Sequence, residues 1–291
     1  MIQNERAVDL HAHTNKSDGS LAPAELVRLA AEKHLAALAV TDHDTTAGVA
    51  EAMAEGARIG VRVIPGIEMS TRADDCDVHM VGLFIDPEDP DLLEKLIWTR
   101  EARDRRNYDM VEKLRKAGYE ISQEDLAAYE DGKILTRGNI AEILVKRGYA
   151  QTVTEGMSAF LRKGKVGYVR REVPVPEDCI RLIHQAGGLA FVAHFHQIDS
   201  KDIGHCERVA RELIRCGADG LETRYCQFDD ALRARAEAIA SDTGCLRSGG
   251  SDFHGALKKG LELGTGYGDL FVPEHFLTAI EAARDAGRGT T

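Results

Sequence analysis

Short apolar runs alternate with longer amphipathic stretches through most of this 291-residue chain, and that alternation limits the folds open to it. Each run is brief and is bounded by Gly, Asp, His or Pro, which predicts strands rather than buried helices. The amphipathic stretches predict helices that cover a sheet. Seven strands with intervening helices favour an α/β barrel. The predicted strands are Ala7–Leu10, Ala36–Thr41, Val61–Ile67, Val78–Ile85, Gly188–Ala193, Ala218–Glu222 and Cys245–Ser248.

The middle of the chain does not follow this alternation. Residues 92–170 are charged, have a helical pattern and contain almost no β-branched runs, whereas strand and helix patterns alternate over 7–85 and 180–286. We therefore predict a small helical cap at 92–170, inserted into a barrel made of residues 1–91 and 171–291.

Ionisable side chains stand at or near the ends of the apolar runs. His11 and His13 follow the first run and share one face of an extended chain. His43 and Glu68 stand just after the second and third predicted strands, on the rim where barrel enzymes place their active sites. Imidazole and carboxylate groups together are ligands for divalent ions. The predicted metal ligands are His11, His13, Asp18, His43, Glu68, His79, His194, Asp252 and His254.

Composition excludes several classes of protein. The formal charge is 37 − 48 = −11, which disfavours sequence-independent binding of duplex DNA or RNA. The six cysteines contain no C-x-x-C pair, so they suggest neither a zinc knuckle nor a disulfide framework. No apolar run is long enough to span a bilayer, and Met1 to Arg6 lack the apolar segment of a secretion signal. We expect a cytoplasmic protein with no membrane partner.

The motifs D-L-H-x-H-T, S-D-G, T-D-H-D-T, P-G-I-E, H-M-V-G and G-G-S-D-F-H-G resemble those of the polymerase and histidinol phosphatase (PHP) family, nearly from end to end. The length and the helical insertion are similar to its TrpH-like branch. That branch includes nucleoside 3′,5′-bisphosphate phosphatases and a 5′→3′ exoribonuclease. The resemblance implies a distorted (β/α)7 barrel with a metal centre, and membership of the amidohydrolase superfamily.

The same resemblance implies how the ligands divide among two or three ions per chain. Imidazoles and carboxylates without a thiolate suit Mn²⁺, Zn²⁺ or Fe²⁺ better than Mg²⁺, and we favour Mn²⁺. Glu68 is implied to bridge two ions. The implied sets are His11, His13, Glu68 and Asp252 for one ion, Glu68, His79 and His194 for a second, and Asp18, His43 and His254 for a third.

A centre of this kind predicts phosphoester hydrolysis. Ions lower the pKa of water, so a hydroxide that bridges them can attack phosphorus without a serine or cysteine nucleophile. His196 is the nearest unassigned candidate for a general acid, although Phe195 stands where the family often has Pro. The predicted activity is removal of the 3′-phosphate from a nucleoside 3′,5′-bisphosphate, such as pAp to AMP.

Because a metal rim recognises phosphate whatever group carries it, the cap at 92–170 is predicted to select the substrate. Basic residues in the cap and at the rim are candidates for binding a second phosphate. Leu135–Asn139 resembles an R-P-H-I-A segment of TrpH-like proteins, with Gly138 and Asn139 in place of Pro and His. A solvated helix end explains the basic tract at 162–165 as well as ligand binding does. Base stacking by Tyr225 or Phe228 is a weaker hypothesis than ordinary packing. The predicted substrate-binding residues are Arg137, Asn139, Lys163, Lys165 and Arg224.

Other functions remain open at this stage. The same site would suit a 5′→3′ exoribonuclease or oligonucleotidase that shortens 5′-phosphorylated chains. A non-catalytic PHP module that binds metal and nucleotide is the alternative from a different class. Histidinol phosphate is a weaker substrate hypothesis, because its single phosphate leaves the basic cap without a second anion to bind. A deaminase or amidase activity is a weaker hypothesis again. The expected partner is a small nucleotide or a short oligonucleotide, and the sequence leaves the oligomeric state open.

Overall fold

The computed structural model, which describes residues 5–129 and 135–288, contains one seven-stranded sheet whose strands follow one another in chain order. The sheet curls into a nearly closed barrel with helices around it, which confirms the predicted fold class. The strands are β1 (Val8–Asp9), β2 (Ala37–Val40), β3 (Val63–Ala73), β4 (Cys76–Leu83), β5 (Leu189–Val192), β6 (Gly220–Tyr225) and β7 (Leu246–Gly250).

Helices cover the barrel and bury one face each. The first, Pro23–Glu32, begins with a proline at its first position, and Leu26, Val27 and Ala30 pack under it against the strands. Together with those of the inserted segment, which forms a separate unit, the helices that the structure describes are α1 (Pro23–Glu32), α2 (Val49–Ile59), α3 (Pro90–Lys116), α4 (Gln123–Ala127), α5 (Arg137–Lys146), α6 (Val153–Gly156), α7 (Pro176–Gln185), α8 (Ile203–Arg215), α9 (Asp230–Thr243) and α10 (Glu274–Arg288).

The barrel closes where β1 and its extension meet the end of β7. The Leu10 amide donates to the Gly249 carbonyl at 3.1 Å, and the Asp252 amide donates to the His11 carbonyl at 2.8 Å. Gly250 permits this approach, because a Cβ there would lie 2.5 Å from the His11 nitrogen. Closure therefore places His11, the first predicted ligand in the sequence, next to Asp252, one of the last two.

One strand departs from the parallel pattern. β4 pairs antiparallel with both β3 and β5, and the other pairs are parallel. β3 and β4 form a long hairpin, so no helix separates them, although clean strand–helix alternation was predicted there. The predicted end of the third strand at Ile67 is also wrong, since β3 continues through Glu68 to Ala73. Pairing with β4 extends β3 past Glu68. The residues of this extension are mostly polar, so they lack the apolar pattern that would predict a strand.

The chain divides into two compact units. One comprises the chain up to Glu94 together with everything from Pro174 onward, and it contains the barrel. The other, Lys95–Val173, includes α4, α5, α6 and a π-helix at Met157–Leu161. Its own apolar core includes Met110, Leu114, Leu126, Ile140, Leu144 and Leu161.

None of the helices in the described parts of the chain combines the length and the apolar character needed to cross a membrane.

Asp9 provides a test of barrel closure. Its buried carboxylate accepts hydrogen bonds from the Ser251 hydroxyl at 2.5 Å, the Gly264 amide at 2.8 Å and the Ser251 amide at 3.0 Å. Asp9→Ala leaves those buried donors without an acceptor, so we expect a loss of about 3–5 kcal/mol in the free energy of unfolding. Urea-induced unfolding measures this. Asp269→Ala, at an exposed carboxylate, is the control, and an equal loss in both variants would contradict the argument.

Candidate metal centre

The structure brings all nine predicted ligands together at one end of the barrel. His11 and His13 follow β1, His43 follows β2, and Glu68 and His79 lie within β3 and β4. The remaining four, placed after β1, β5 and β7, are Asp18, His194, Asp252 and His254. Eight of the nine form three groups, in each of which all ligand atoms lie within 4.8 Å of one another: His11, His13, Glu68 and Asp252; His43, Glu68 and His79; and His13, Asp18, His43 and His254. The ninth, His194, lies beside these groups, with its Nε2 2.9 Å from Oε1 of Glu68.

Glu68 is the centre of the arrangement, and it is completely buried. Its two oxygens face different histidines. Oε1 lies 2.8 Å from Nδ1 of His79 and 2.9 Å from Nε2 of His194. Oε2 lies close to three other rings, at 3.2 Å from Nε2 of His11, 3.2 Å from Nε2 of His13 and 3.0 Å from Nδ1 of His43. This geometry suits a carboxylate that bridges two ions.

One oxygen of Asp252 faces the cluster, and the other accepts hydrogen bonds from residues outside it. Oδ1 lies 3.1 Å from Nε2 of His13. Oδ2 accepts hydrogen bonds from the Tyr225 hydroxyl and from the Lys258 ammonium group, both at 2.7 Å. These contacts fix the orientation of the carboxylate, so that Oδ1 alone is directed at the histidines.

Asp18 forms the most exposed part of the site, with a side chain that is 39% accessible. Its Oδ1 lies 3.3 Å from Nε2 of His254, and its Oδ2 lies 3.9 Å from Nε2 of His43. The loop that carries it is held by Asp42, which accepts hydrogen bonds from the Ser17 hydroxyl at 2.6 Å and the Thr14 amide at 2.8 Å. Solvent therefore reaches the cluster at Asp18.

The donor set fits divalent cations. Nδ1 of His13, Nδ1 of His43, Oδ1 of Asp18 and Oε2 of Glu68 are buried, and although imidazole or carboxylate atoms lie close to them, none of the described residues is aligned to form a regular hydrogen bond with them. Buried polar atoms without partners are costly, and a shared cation satisfies such a convergent set. The residues that would hold ions are the nine ligands, which combine six imidazoles and three carboxylates without a thiolate.

Electrostatic coupling within the cluster is strong. Burial alone would raise the pKa of Glu68, but the imidazoles of His43 and His11 lower it well below its usual range. Burial likewise opposes protonation of His13, yet the neighbouring carboxylates of Asp252 and Glu68 raise its pKa to about 9. The carboxylates therefore stay ionised, and a cation that binds at His13 competes with a proton.

Two ligands have left-handed backbone conformations, which non-glycine residues rarely adopt. The φ angle is +23° at His194 and +54° at Asp252. Such strain costs on the order of 1–3 kcal/mol per residue, so the surroundings must impose it. The His194 amide donates to Oε2 of Glu222 at 2.6 Å, while Oε1 of Glu222 lies 2.8 Å from Nδ1 of His11. One buried carboxylate thus orients two ligands.

The sequence did not identify these supporting residues. Glu222 lies within the strand predicted at 218–222, and Tyr225 was considered only for base stacking. A buried acidic residue inside an otherwise apolar strand was the one signal that pointed to Glu222. Nothing in the sequence indicates a role for Lys258, since lysines are common at protein surfaces. Its contact with Asp252 depends on the conformation of the loop after β7.

Arg224 corrects one prediction. Its guanidinium forms an ion pair with Glu237 of α9 and stacks over the ring of Phe276 of α10, 5.6 Å from the ring centroid. The side chain is therefore directed to the helices outside the barrel and away from the ligand face, and a role at the metal rim is wrong. A register shift in β6 between Glu222 and Arg224 determines which side chains face inward.

The other proposed substrate residues belong to the second compact unit. Arg137 is the first residue of α5, and Asn139 caps the same helix, because its Oδ1 accepts the Thr136 amide hydrogen bond at 2.8 Å. Lys163 and Lys165 are exposed in a turn that follows the π-helix. Substrate binding by these residues stays a prediction, and for Asn139 it would involve only the amide nitrogen.

His196 and its aromatic neighbours lie beside His194. The His196 ring packs on Tyr225 and Phe228, with centroids 5.5 and 5.2 Å away. Tyr225 and Phe228 are themselves buried, so packing explains them better than base stacking does. Burial lowers the pKa of His196. This opposes the predicted role of general acid, which needs a group protonated at the working pH.

Comparison with known proteins agrees with this geometry. Residues 9–171 match the model of the PHP domain. The chain belongs to the PHP family. As a PHP protein it is a metal-dependent phosphoesterase, as predicted from the ligand motifs, and its His, Asp and Glu clusters are suited to divalent ions.

Relatives of this PHP protein have different activities. It is 36% identical to the 5′-3′ exoribonuclease Rnm of Escherichia coli, over 84% of each chain. It is 34% identical to a 3′,5′-nucleoside bisphosphate phosphatase of Chromobacterium violaceum, over 88% of this chain and 90% of the relative. Among solved structures, an amidohydrolase from Chromobacterium violaceum with bound sulfate superposes with a TM-score of 0.81 at 31% identity, covering 95% of this chain and 96% of the other.

Glu222 tests how the PHP protein orients its ligands. Glu222→Gln removes the charge that faces His11 and weakens the acceptor for the His194 amide, so we expect Mn²⁺ affinity to fall about 10–100-fold. Calorimetric titration of metal-free protein with Mn²⁺ measures this. The matched control is Glu237→Gln, which changes a glutamate that pairs with Arg247 outside the cluster. Equal affinities for Glu222→Gln and the unmodified protein would refute the role.

Proposed function

We propose that this protein removes the 3′-phosphate from nucleoside 3′,5′-bisphosphates in a Mn²⁺-dependent reaction, with zinc or iron as alternative metals. The observation that supports the proposal most strongly is the three-group ligand cluster around Glu68, in a chain related to a phosphatase of that specificity. The three ligand groups support two or three ions. Two of the groups share Glu68, which presents one oxygen to His79 and the other to His43.

The reaction needs few other groups from the chain. When bound, the ions activate water for attack on phosphorus and offset the charge that develops on the phosphoryl oxygens. Glu68, His11, His13 and Asp252 fix the reacting centre from buried positions, which limits its movement. Asp18 lies at the accessible side of the site, where the phosphate has to approach.

Recognition of a second phosphate is assigned to the helical unit. Arg137 stands at the N-terminus of α5, where the helix dipole also favours an anion. A guanidinium can hold a phosphate through two parallel hydrogen bonds. Lys163 and Lys165 add positive charge to the same unit, and a protein with a net charge of −11 gains local attraction for nucleotides from such residues.

A substrate panel tests the proposed activity. Mn²⁺-loaded protein should release phosphate faster from pAp than from 3′-AMP, 5′-AMP or a 5′-phosphorylated pentaribonucleotide, because only pAp engages both the metal centre and the basic unit. Phosphate release and product chromatography measure this. Glu68→Gln, prepared in parallel, should lose the activity, which assigns it to this site. Faster turnover of 3′-AMP than of pAp would contradict the proposal.

Substitution of Arg137 tests whether this residue binds the second phosphate. Arg137→Ala should lower kcat/KM for pAp about 10–100-fold and leave kcat/KM for 3′-AMP nearly unchanged, since 3′-AMP has no 5′-phosphate. Steady-state kinetics on both substrates give the ratio. Arg147→Ala is the control, because Arg147 lies at the other end of α5 and pairs with Asp125. An unchanged preference for pAp in Arg137→Ala would remove Arg137 from this role.

A 5′→3′ exoribonuclease is the second candidate, and the 36% identical relative with that activity favours it. The chemistry at the cluster would be the same, because both reactions break a phosphoester bond at the 3′-oxygen. The pentaribonucleotide in the panel separates the two. Stepwise release of 5′-nucleotides from it, at a rate above that of pAp, would establish the exoribonuclease.

A further inference from the structure

A second group of metal-ligating side chains lies apart from the nine ligands. Cys76, Asp199 and His205 each offer one ligand atom, and those atoms lie within 4.8 Å of one another. All three residues are partly buried. We propose that this group, the Cys76 site, binds a divalent ion of the zinc class, with a structural rather than a catalytic role.

The Cys76 site joins two segments that are distant in sequence. Cys76 is the first residue of β4, directly after the hairpin turn at Asp74 and Asp75, where both residues have positive φ angles of 47° and 62°. Asp199 follows β5, and His205 lies in the first turn of α8. An ion there would connect the β3–β4 hairpin to the segment between β5 and α8.

The imidazole of His205 already lies between two carboxylates. Its Nδ1 is 3.2 Å from Oδ2 of Asp199, and its Nε2 is 3.8 Å from Oδ2 of Asp74. The other oxygen of Asp199 accepts the Lys201 amide hydrogen bond at 3.0 Å, which fixes the carboxylate. Asp74 is 77% exposed and can rotate to serve as a fourth ligand.

The chemistry of the group suits zinc. Thiolate sulfur, imidazole nitrogen and carboxylate oxygen are its usual protein ligands, at about 2.0–2.3 Å. Ligand atoms of a tetrahedral site are therefore about 3–4 Å apart, so the observed separations close by small side-chain rotations. A thiolate and one or two carboxylates offset the charge of the ion, while the backbone hydrogen bond at Asp199 and its contact with His205 keep the pKa of Asp199 below its usual value.

An ion at the Cys76 site would stabilise part of the main centre. Cys76 precedes His79 by three residues on β4, and Asp199 follows His194 by five. His79 and His194 both contact Oε1 of Glu68. Fixing the two segments to each other restricts the movement of both histidines, which explains a structural role beside the catalytic cluster.

Cobalt spectroscopy tests the Cys76 site directly. Metal-free full-length protein is titrated with Co²⁺, and the thiolate-to-cobalt charge-transfer band in the near ultraviolet is recorded. The nine ligands of the main centre include no thiolate, so they cannot produce this band. We expect the band to grow as Co²⁺ is added to the unmodified protein and to saturate by about four equivalents, because the main centre takes up to three ions that give no such band, and we expect Zn²⁺ to abolish it by displacement.

Two variants and a control complete the experiment. Cys76→Ser should abolish the band, His205→Asn should weaken the affinity for Co²⁺ at least about tenfold, and Cys216→Ser, at an exposed thiol beyond α8, should leave both unchanged. Far-UV circular dichroism checks that the variants fold. Absence of the band from the unmodified protein overturns the proposal, as does its persistence in Cys76→Ser. These results are independent of phosphatase activity.

Discussion

The buried carboxylate of Glu68 requires compensation, and the architecture of the barrel rim provides it. An ionised group without partners in the interior is strongly unfavourable, so positive or polar groups must surround it on every side. Imidazoles that lie on or just after four separate strands approach its two oxygens, and they can compensate the charge either as protonated rings or as fellow ligands of shared cations. The five rings belong to His11, His13, His43, His79 and His194.

A second layer of buried groups maintains this geometry against local strain. Glu222 holds the strained backbone of His194 and the ring of His11, while Tyr225 and Lys258 together hold one oxygen of Asp252. Asp9 performs a related task at the seam between β1 and β7, where it receives hydrogen bonds from Ser251 and Gly264. Ligand positions therefore depend on barrel closure as much as on the ligands themselves.

We propose that chemistry and specificity are divided between the two compact units. The barrel provides a centre that acts on a phosphoester whatever group it carries, and such a centre is compatible with several substrates. The helical unit has its own apolar core, so its surface can change without disturbing the ligands. On this proposal, substrate choice can differ between relatives, such as an exoribonuclease and a bisphosphate phosphatase, while the metal centre is kept.

The sequence by itself determined the α/β class, the seven strands and the nine candidate ligands, because period-two apolar runs and closely spaced histidines and carboxylates are local features. It did not determine that β3 continues past Glu68, that Arg224 is directed outward, or that Glu222 and Lys258 support the ligands. Those outcomes depend on the antiparallel β4, on a register shift in β6 and on the closure of β7 against β1. Only the tertiary structure decides them, since each is a contact between residues far apart in the chain.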